Sequence, residues 1–234
     1  MNQYNEHRQR ADRYFGHMFG VDSEQARSLV TVAVTDRRTR HEEGYGNAWP
    51  VLALSRESGL WLSLAPSAES LAEVLAGELR ERRGRFAVKP SQIFVPSAQP
   101  PAAATIEGAE IRPIHAPVPS WGGGTVPTES IAQGTAFGVY LGSELAAWAE
   151  ATPLPQATAR FGVLLVGIET HPEYRRQGYA RAVLTRLTEE AHRRDLTPVY
   201  FCGGNNVASQ RTALAAGYVP YGEWWRIRAT DLAS

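Results

Sequence analysis

The chain has 234 residues, 43% of them hydrophobic and 21% charged, with a formal net charge of zero. That length and composition suit an ordinary globular protein with a sizeable buried core, and the absent net charge argues against a global field for nucleic acid or an anionic membrane. Cys202 is the only cysteine, which excludes an intrachain disulfide and a cysteine-based zinc site and fits a reducing, cytoplasmic setting. The polar start, Met1 to Arg10, has no signal-peptide core, and no apolar run approaches a membrane span.

In chain order, Tyr4 to Phe19 carries Tyr4, Ala11, Tyr14, Phe15, Met18 and Phe19 at helical spacing. Asp22 or Ser23 caps a second predicted helix, with Glu24 and Gln25 in its first turn. Thr39 to Asn47 reads as a polar loop. Val51 to Leu54 and Leu60 to Leu64 flank Glu57-Ser58-Gly59, a hairpin signal. A helix is expected from Ser67, with Leu71, Val74, Leu75 and Leu79 as its apolar face and Arg80, Arg82 and Arg83 near its end.

Pro96 to Ala104 is rich in Pro and Ala and reads as a linker, so we expect an α/β region over 1–100 and a second domain over 101–234. Ile111 to Ile114 is a short predicted strand. Ala116 to Thr128 is loop-like. Strands follow at Phe137–Leu141, Leu145–Ala151 and Phe161–Glu169, the last apolar enough to be central. Tyr174 to Arg194 is a predicted helix, Pro198 to Cys202 a strand and Val207 to Ala216 a helix ended by Gly217. Tyr218 to Arg228 closes the chain as strand. The fold class is therefore α/β with a mixed sheet, and no internal repeat interrupts it.

Arg175-Arg176-Gln177-Gly178-Tyr179-Ala180-Arg181 lies between the most apolar strand and the longest predicted helix. Small residues at 178 and 180 permit a tight turn and a close ligand approach. Unpaired N–H groups at a helix start, with its dipole and arginines, make an anion site suited to a pyrophosphate. A glycine turn beside arginines would alone read as a solvated surface turn. Its place between strand and helix favours the anion site.

Arg175-x-x-Gly178-x-Ala180, preceded by Pro172-Glu173-Tyr174, resembles the signature of the GNAT superfamily of acyl-CoA-dependent N-acyltransferases. Asn206-x-Ala208-Ser209, with Leu214 and Ala216-Gly217-Tyr218, is similar to the family's later helix. The likeness covers about Thr135 to Arg228. Ile168-Glu169-Thr170 is also similar to a bacterial group with an extra N-terminal region. The resemblance implies a GNAT-like fold at the C-terminus, with the α/β N-terminal region packed on it. It implies acetyl-CoA as co-substrate, an amine acceptor, no metal, no nucleic acid, no membrane, and a possible homodimer. Ile168, Glu169 and Thr170 would hold the pantetheine. Arg175, Arg176, Gln177, Gly178, Tyr179, Ala180 and Arg181 would cradle the pyrophosphate, and Asn206 and Ser209 would contact the CoA arm.

The match breaks at two positions. Where many members carry a tyrosine acid this chain has Ala213, and where many carry a carboxylate base it has Phe201. Glu169 is the substitute base at the strand end; the alternative is a Glu in solvent or paired with an Arg. Tyr200, Tyr218 and Tyr221 are alternative acids or plain sheet core. His171 meets the CoA or is a solvated loop residue, and His192 is expected at a helix C-terminus. Trp121-Gly122-Gly123-Gly124 is either a cover over the acceptor or a plain connector.

Overall fold

The computed structural model describes residues 3–22, 28–39, 49–81, 89–98, 101, 106–118, 121–228 and 231. They form, in chain order, helix α1 (Gln3–Phe19), strands β1 (Val30–Val34), β2 (Val51–Arg56) and β3 (Gly59–Leu64), helix α2 (Ala72–Glu81), strands β4 (Ser91–Pro96) and β5 (Glu110–Pro113), and helix α3 (Thr128–Ala132). Strands β6 (Ala136–Leu141) and β7 (Glu144–Pro153), helix α4 (Pro155–Phe161), strand β8 (Val163–Thr170), helix α5 (Tyr179–Arg193), strand β9 (Thr197–Gly203), helix α6 (Val207–Ala215) and strand β10 (Tyr218–Ile227) complete the α/β fold. The chain divides into two units. One comprises Met1–Ala11, Phe94–Phe201 and Val207–Val219, and the other Asp12–Ile93, Cys202–Asn206 and Pro220–Ser234.

In the second unit, the expected hairpin is present. β2 pairs antiparallel with β3 from Val51↔Leu64 to Arg56↔Gly59. Gly59 has φ 136°, and a side chain there would press on the Leu29 carbonyl, so the turn needs glycine. β1 adds in parallel to β3, and Glu223–Ile227 of β10 pairs antiparallel with β2. β1 escaped the sequence reading because its burial alternates poorly, with Val32 and Val34 exposed. On one face Leu62, Leu64, Leu75, Leu79, Trp225 and Ile227 form a core against α2. Another aromatic cluster joins Phe15 to Tyr221 and Trp224, and Phe19 to Trp61. The helix expected from Ser67 begins as a 3-10 turn over Pro66–Leu71, and Val74 is exposed rather than part of its apolar face. The helix predicted after Asp22 and the arginines at 82 and 83 lie outside the described residues, as does most of the predicted loop after Thr39.

In the first unit, β5, β6, β7 and β8 are successive antiparallel neighbours, and β9 joins β8 in parallel. α5 buries Ala182, Val183, Leu184 and Leu187, while its Arg186 lies 4.6 Å from the centre of the Phe137 ring. Trp148 belongs to a separate cluster with Ile114, Val126 and Ala136. Phe137 pairs with Ala149 and Gly138 with Trp148, so pleat alternation puts Trp148 on the sheet face opposite Phe137 and α5. α3 and α4 were not expected from the sequence; each is short, and Pro155 starts the latter, which ends at Phe161, expected as the first residue of β8. β4 occupies Ser91–Pro96 and ends on the first residue of the Pro/Ala-rich stretch expected as a linker.

Residues 3–11 of α1 contribute a histidine contact to this unit. His7 stacks on His192 with ring centres 4.6 Å apart, and its Nδ1 lies 2.9 Å from Thr197 Oγ1. Arg10 joins Glu6 and Asp195 beside them. His192 is thus packed on a second imidazole, not merely placed at a helix end.

Candidate active site

Apolar sequence makes β8 central, but it keeps two neighbours over only half its length. Its parallel pairing with β9 runs from Val163↔Thr197 to Val166↔Tyr200 and goes no further. Its antiparallel pairing with β7 continues to Ala147↔Thr170. The His171 N–H donates to the Ala146 carbonyl at 2.9 Å. Antiparallel bonded pairs alternate, so Trp148/Glu169 and Glu150/Gly167 are bonded pairs too. Ile168 and Thr170 therefore turn their backbone N–H and C=O groups away from β7, to the side that the β9 ladder has left. The Thr170 carbonyl there is approached by Arg175 Nε at 3.5 Å.

The chain then turns through a 3-10 segment, Pro172–Tyr174, capped by His171 Nδ1 accepting from the Glu173 N–H at 3.3 Å. The Tyr174 hydroxyl donates to Glu144. Periodicity predicts a helix from Tyr174, but it starts at Tyr179. Arg176 at φ 64° and Gly178 at φ 87° are left-handed, a conformation that interrupts the helical hydrogen-bond ladder. The first bond is from Ala182 N–H to the Gly178 carbonyl at 3.0 Å, which leaves the N–H groups of Tyr179, Ala180 and Arg181 with no preceding helical carbonyl. Tyr179 is buried and anchors the helix start, while Arg175, Arg176, Gln177, Gly178 and Arg181 are exposed. A Cβ placed on Gly178 meets nothing within 4 Å, so open space lies over this turn. The N–H groups and dipole of the helix start, with exposed arginines in the same segment, are features that attract an anion.

The face opposite α5 carries two carboxylates. Glu169 Oε2 accepts the Trp121 backbone N–H at 2.9 Å, and the Trp121 ring packs edge-on against His171 at 5.2 Å. Glu169 thus fastens the glycine-rich segment through a backbone N–H, in place of the solvent or arginine contact expected as its alternatives. Gly122 lets this happen, because a Cβ there would come within 2.6 Å of Glu169 Oε1. We expect Gly122→Ala to break the Trp121–Glu169 bond and to lower stability by about 1 kcal/mol. A urea titration and a red-shifted Trp emission would show it, and an unchanged midpoint would refute it.

Glu150 is the second carboxylate, and the sequence reading passed over it. It is 6% exposed. Its Oε2 accepts from Ser130 Oγ and Thr152 Oγ1, both at 2.7 Å, and the Gly167 backbone contributes a further hydrogen bond. Burial raises its pKa above the ordinary carboxylate value, against the lowering effect of these bonds. A Cβ on Gly167 would sit 2.4 Å from Glu150 Oε1, so the carboxylate occupies the volume that any other residue at 167 would fill. The available signal was a lone charge inside the apolar run Ala146-Ala147-Trp148-Ala149-Glu150-Ala151.

Tyr200, at the last paired position of β9, is buried and its hydroxyl lies 2.6 Å from Ser209 Oγ. Ser209 is thereby brought beside the end of the β8–β9 ladder. Asn206 is exposed, with its N–H donating to the Gly203 carbonyl at 2.8 Å, and it belongs to the second unit. Tyr218 is buried against Thr188, and burial pushes its phenol well up. Tyr221 donates to Asp12 at 2.7 Å in the second unit and is likewise raised, chiefly by burial. Both are core residues. Ala213 is fully buried and Cys202 is buried. Among the described residues, no group of three or more His, Cys, Asp and Glu is arranged to hold a metal, and no helix is long and apolar enough to cross a membrane.

The comparisons with known proteins bear on this stretch, in which β8 loses one neighbour before the turn into α5. Residues 110–218 match the model of the Acetyltransferase (GNAT) family. Among solved structures, the chain is similar to an acetyltransferase of the GNAT family from Colwellia psychrerythraea, at 17% identity and TM-score 0.49, over 74% of this chain and 63% of that one. It is also similar to a GCN5-related N-acetyltransferase-like protein from Streptococcus suis, at 15% identity and TM-score 0.47, over 94% and 98%. A third is yncA of Salmonella typhimurium, solved with its cofactor acetyl-CoA, at 15% identity and TM-score 0.33, over 40% and 65%. The chain thus spans under two thirds of the Colwellia protein's length. No functionally curated protein matches it.

Proposed function

We propose that the chain is an N-acetyltransferase that moves an acetyl group from acetyl-CoA to the amine of a small molecule or peptide, by direct attack in a ternary complex. One observation carries this reading: the half-paired end of β8 is followed, across the turn at 171–178, by N–H groups at the start of α5 that have no preceding helical carbonyl. Pantetheine needs exposed backbone donors and acceptors, and the pyrophosphate needs N–H groups and positive charge. Ile168, Glu169 and Thr170 would supply the former. Arg175, Arg176, Gln177, Gly178, Tyr179, Ala180 and Arg181 would supply the latter, with Asn206 and Ser209 along the CoA arm. A backbone N–H facing the gap, such as that of Ile168, would polarise the thioester carbonyl. Residues 1–100 would complete the acceptor side or join two copies, and the single cysteine fits a reducing, cytoplasmic setting.

A second reading is a non-catalytic acyl-CoA sensor. Ala213 and Phe201, at positions where family members carry acid and base, favour it. Thiol release from acetyl-CoA across a panel of primary amines separates the two. Release with at least one amine supports the transferase. Tight CoA binding without release from any amine supports the sensor.

A further inference from the structure

The parted strands carry more chemistry than a CoA cradle needs. Glu150 and Glu169 share the sheet face opposite α5, since Glu150 pairs with Gly167 and Glu169 with Trp148 on adjacent strands. Their environments differ. Glu169 is half-buried and already accepts the Trp121 N–H. Glu150 is buried, and among the described residues no cation pairs with it; Ser130, Thr152 and the Gly167 backbone are its hydrogen-bond partners.

A buried carboxylate without a cation is costly to keep in a sheet. Three observations give its placement a purpose. Gly167 is the first β8 residue beyond Val166, where pairing with β9 ends. Gly167 lacks the side chain that would collide with Glu150 Oε1 at 2.4 Å, so the carboxylate lies directly over the backbone at the mouth of the gap. Ser130 and Thr152 both fix Oε2, which leaves Oε1 as the oxygen over Gly167.

We propose that Glu150 is the catalytic proton acceptor for the incoming amine. This rests on the N-acetyltransferase reading above and deepens it. The protonated amine gives one proton to the Glu150 carboxylate, within hydrogen-bond reach or through one water. The freed nitrogen lone pair forms the C–N bond on the acetyl carbonyl carbon. The C–S bond breaks, sulfur leaves with the electron pair, and it takes a second proton from the nitrogen. Glu150 then releases its proton to solvent. The sum is an amide, a free thiol and one proton. Burial holds the carboxyl above its ordinary pKa, which moves it toward the basicity such a step needs.

The test is Glu150→Gln, assayed with the amine that gives the fastest thiol release from the wild type. We expect kcat to fall by about 10²–10⁴-fold, the acid limb of the pH–rate profile to vanish, and activity to recover above the pKa of the amine. The acetyl-CoA Kd should stay within about two-fold. Glu169→Gln should raise KM through the Trp121 segment but leave the acid limb in place. Should Glu150→Gln fail to fold, Ser130→Ala decides: losing a donor that lowers the Glu150 pKa must shift the acid limb to higher pH. An unmoved limb there, or wild-type kcat and limb in Glu150→Gln, overturns the assignment to Glu150 while leaving the transferase intact. A wild type that binds acetyl-CoA but acetylates no amine overturns the transferase reading itself, and this role with it.

Discussion

Gly178→Glu should lower the affinity for CoA by at least about 100-fold. Gly178 sits at φ 87°, where an L-residue costs roughly 1–2 kcal/mol, so the turn relaxes and the cradle loses its shape. No atom lies within 4 Å of its Cβ position, so a new side chain projects into the space over the helix start. There a carboxylate competes with the ligand's phosphates for the N–H groups of Tyr179, Ala180 and Arg181. Two like charges about 4 Å apart repel by about 4 kcal/mol at an effective dielectric near 20, and each 1.4 kcal/mol is a factor of ten. Calorimetric titration with CoA reads the loss. A pantetheine thioester lacking phosphates should lose under ten-fold, because it does not use the turn. Wild-type CoA affinity in Gly178→Glu would remove the pyrophosphate assignment altogether.

Acid should destabilise the protein in a window set by the stacked histidines. His7 is held down to about 4 from 6.5, first by burial, then by the His192 and Arg10 charges. His192 is lowered by burial. Asp195 pulls the other way but does not prevail. Thr197, from β9, supplies a hydroxyl and no charge. Both imidazoles are favoured neutral in the fold, so the unfolded chain binds protons first as pH falls. Stability is therefore full above pH 6.5, declines below it, and His7 adds no further slope below about 4. At ~1.4 kcal/mol per pKa unit, His7 accounts for up to about 3 kcal/mol, and His192 adds in the same direction. Urea titrations at pH 7, 5 and 4 measure this decline. His7→Asn, which keeps an amide toward Thr197 but cannot titrate, should lose less than half as much over that range. An equal slope in both proteins would place the acid sensitivity elsewhere.

The segments legible from sequence were those with strong local signals. The hairpin at Glu57-Ser58-Gly59 was readable because Gly59 must adopt a positive φ between two apolar runs. The run before Thr170 read as central because it is apolar throughout, and β8 is central. The tight turn before α5 was readable because its arginines and Gly178 are contiguous, with small Ala180 just inside the helix that follows. β1 was not, since an edge strand has little burial to impose alternation. The helix start at 179 was not either, because Tyr174 to Gln177 has helical composition and the extended backbone of Arg175 and the left-handed angles of Arg176 and Gly178 stop it.

What the sequence determined by itself is therefore local: the mixed α/β class, most element types, and the glycine turn that precedes the helix start at 179. These depend on periodicity, turn chemistry and helix-end N–H groups, all set within a few residues of one another. What only the tertiary structure decided is which distant groups meet. β8 and β9 part after Val166↔Tyr200. Glu169 holds Trp121, and Glu150 crosses onto Gly167 under the grip of Ser130 and Thr152. These contacts join residues up to 48 positions apart. No local pattern specifies them, because strand register and burial, rather than spacing along the chain, bring the two carboxylates to one face.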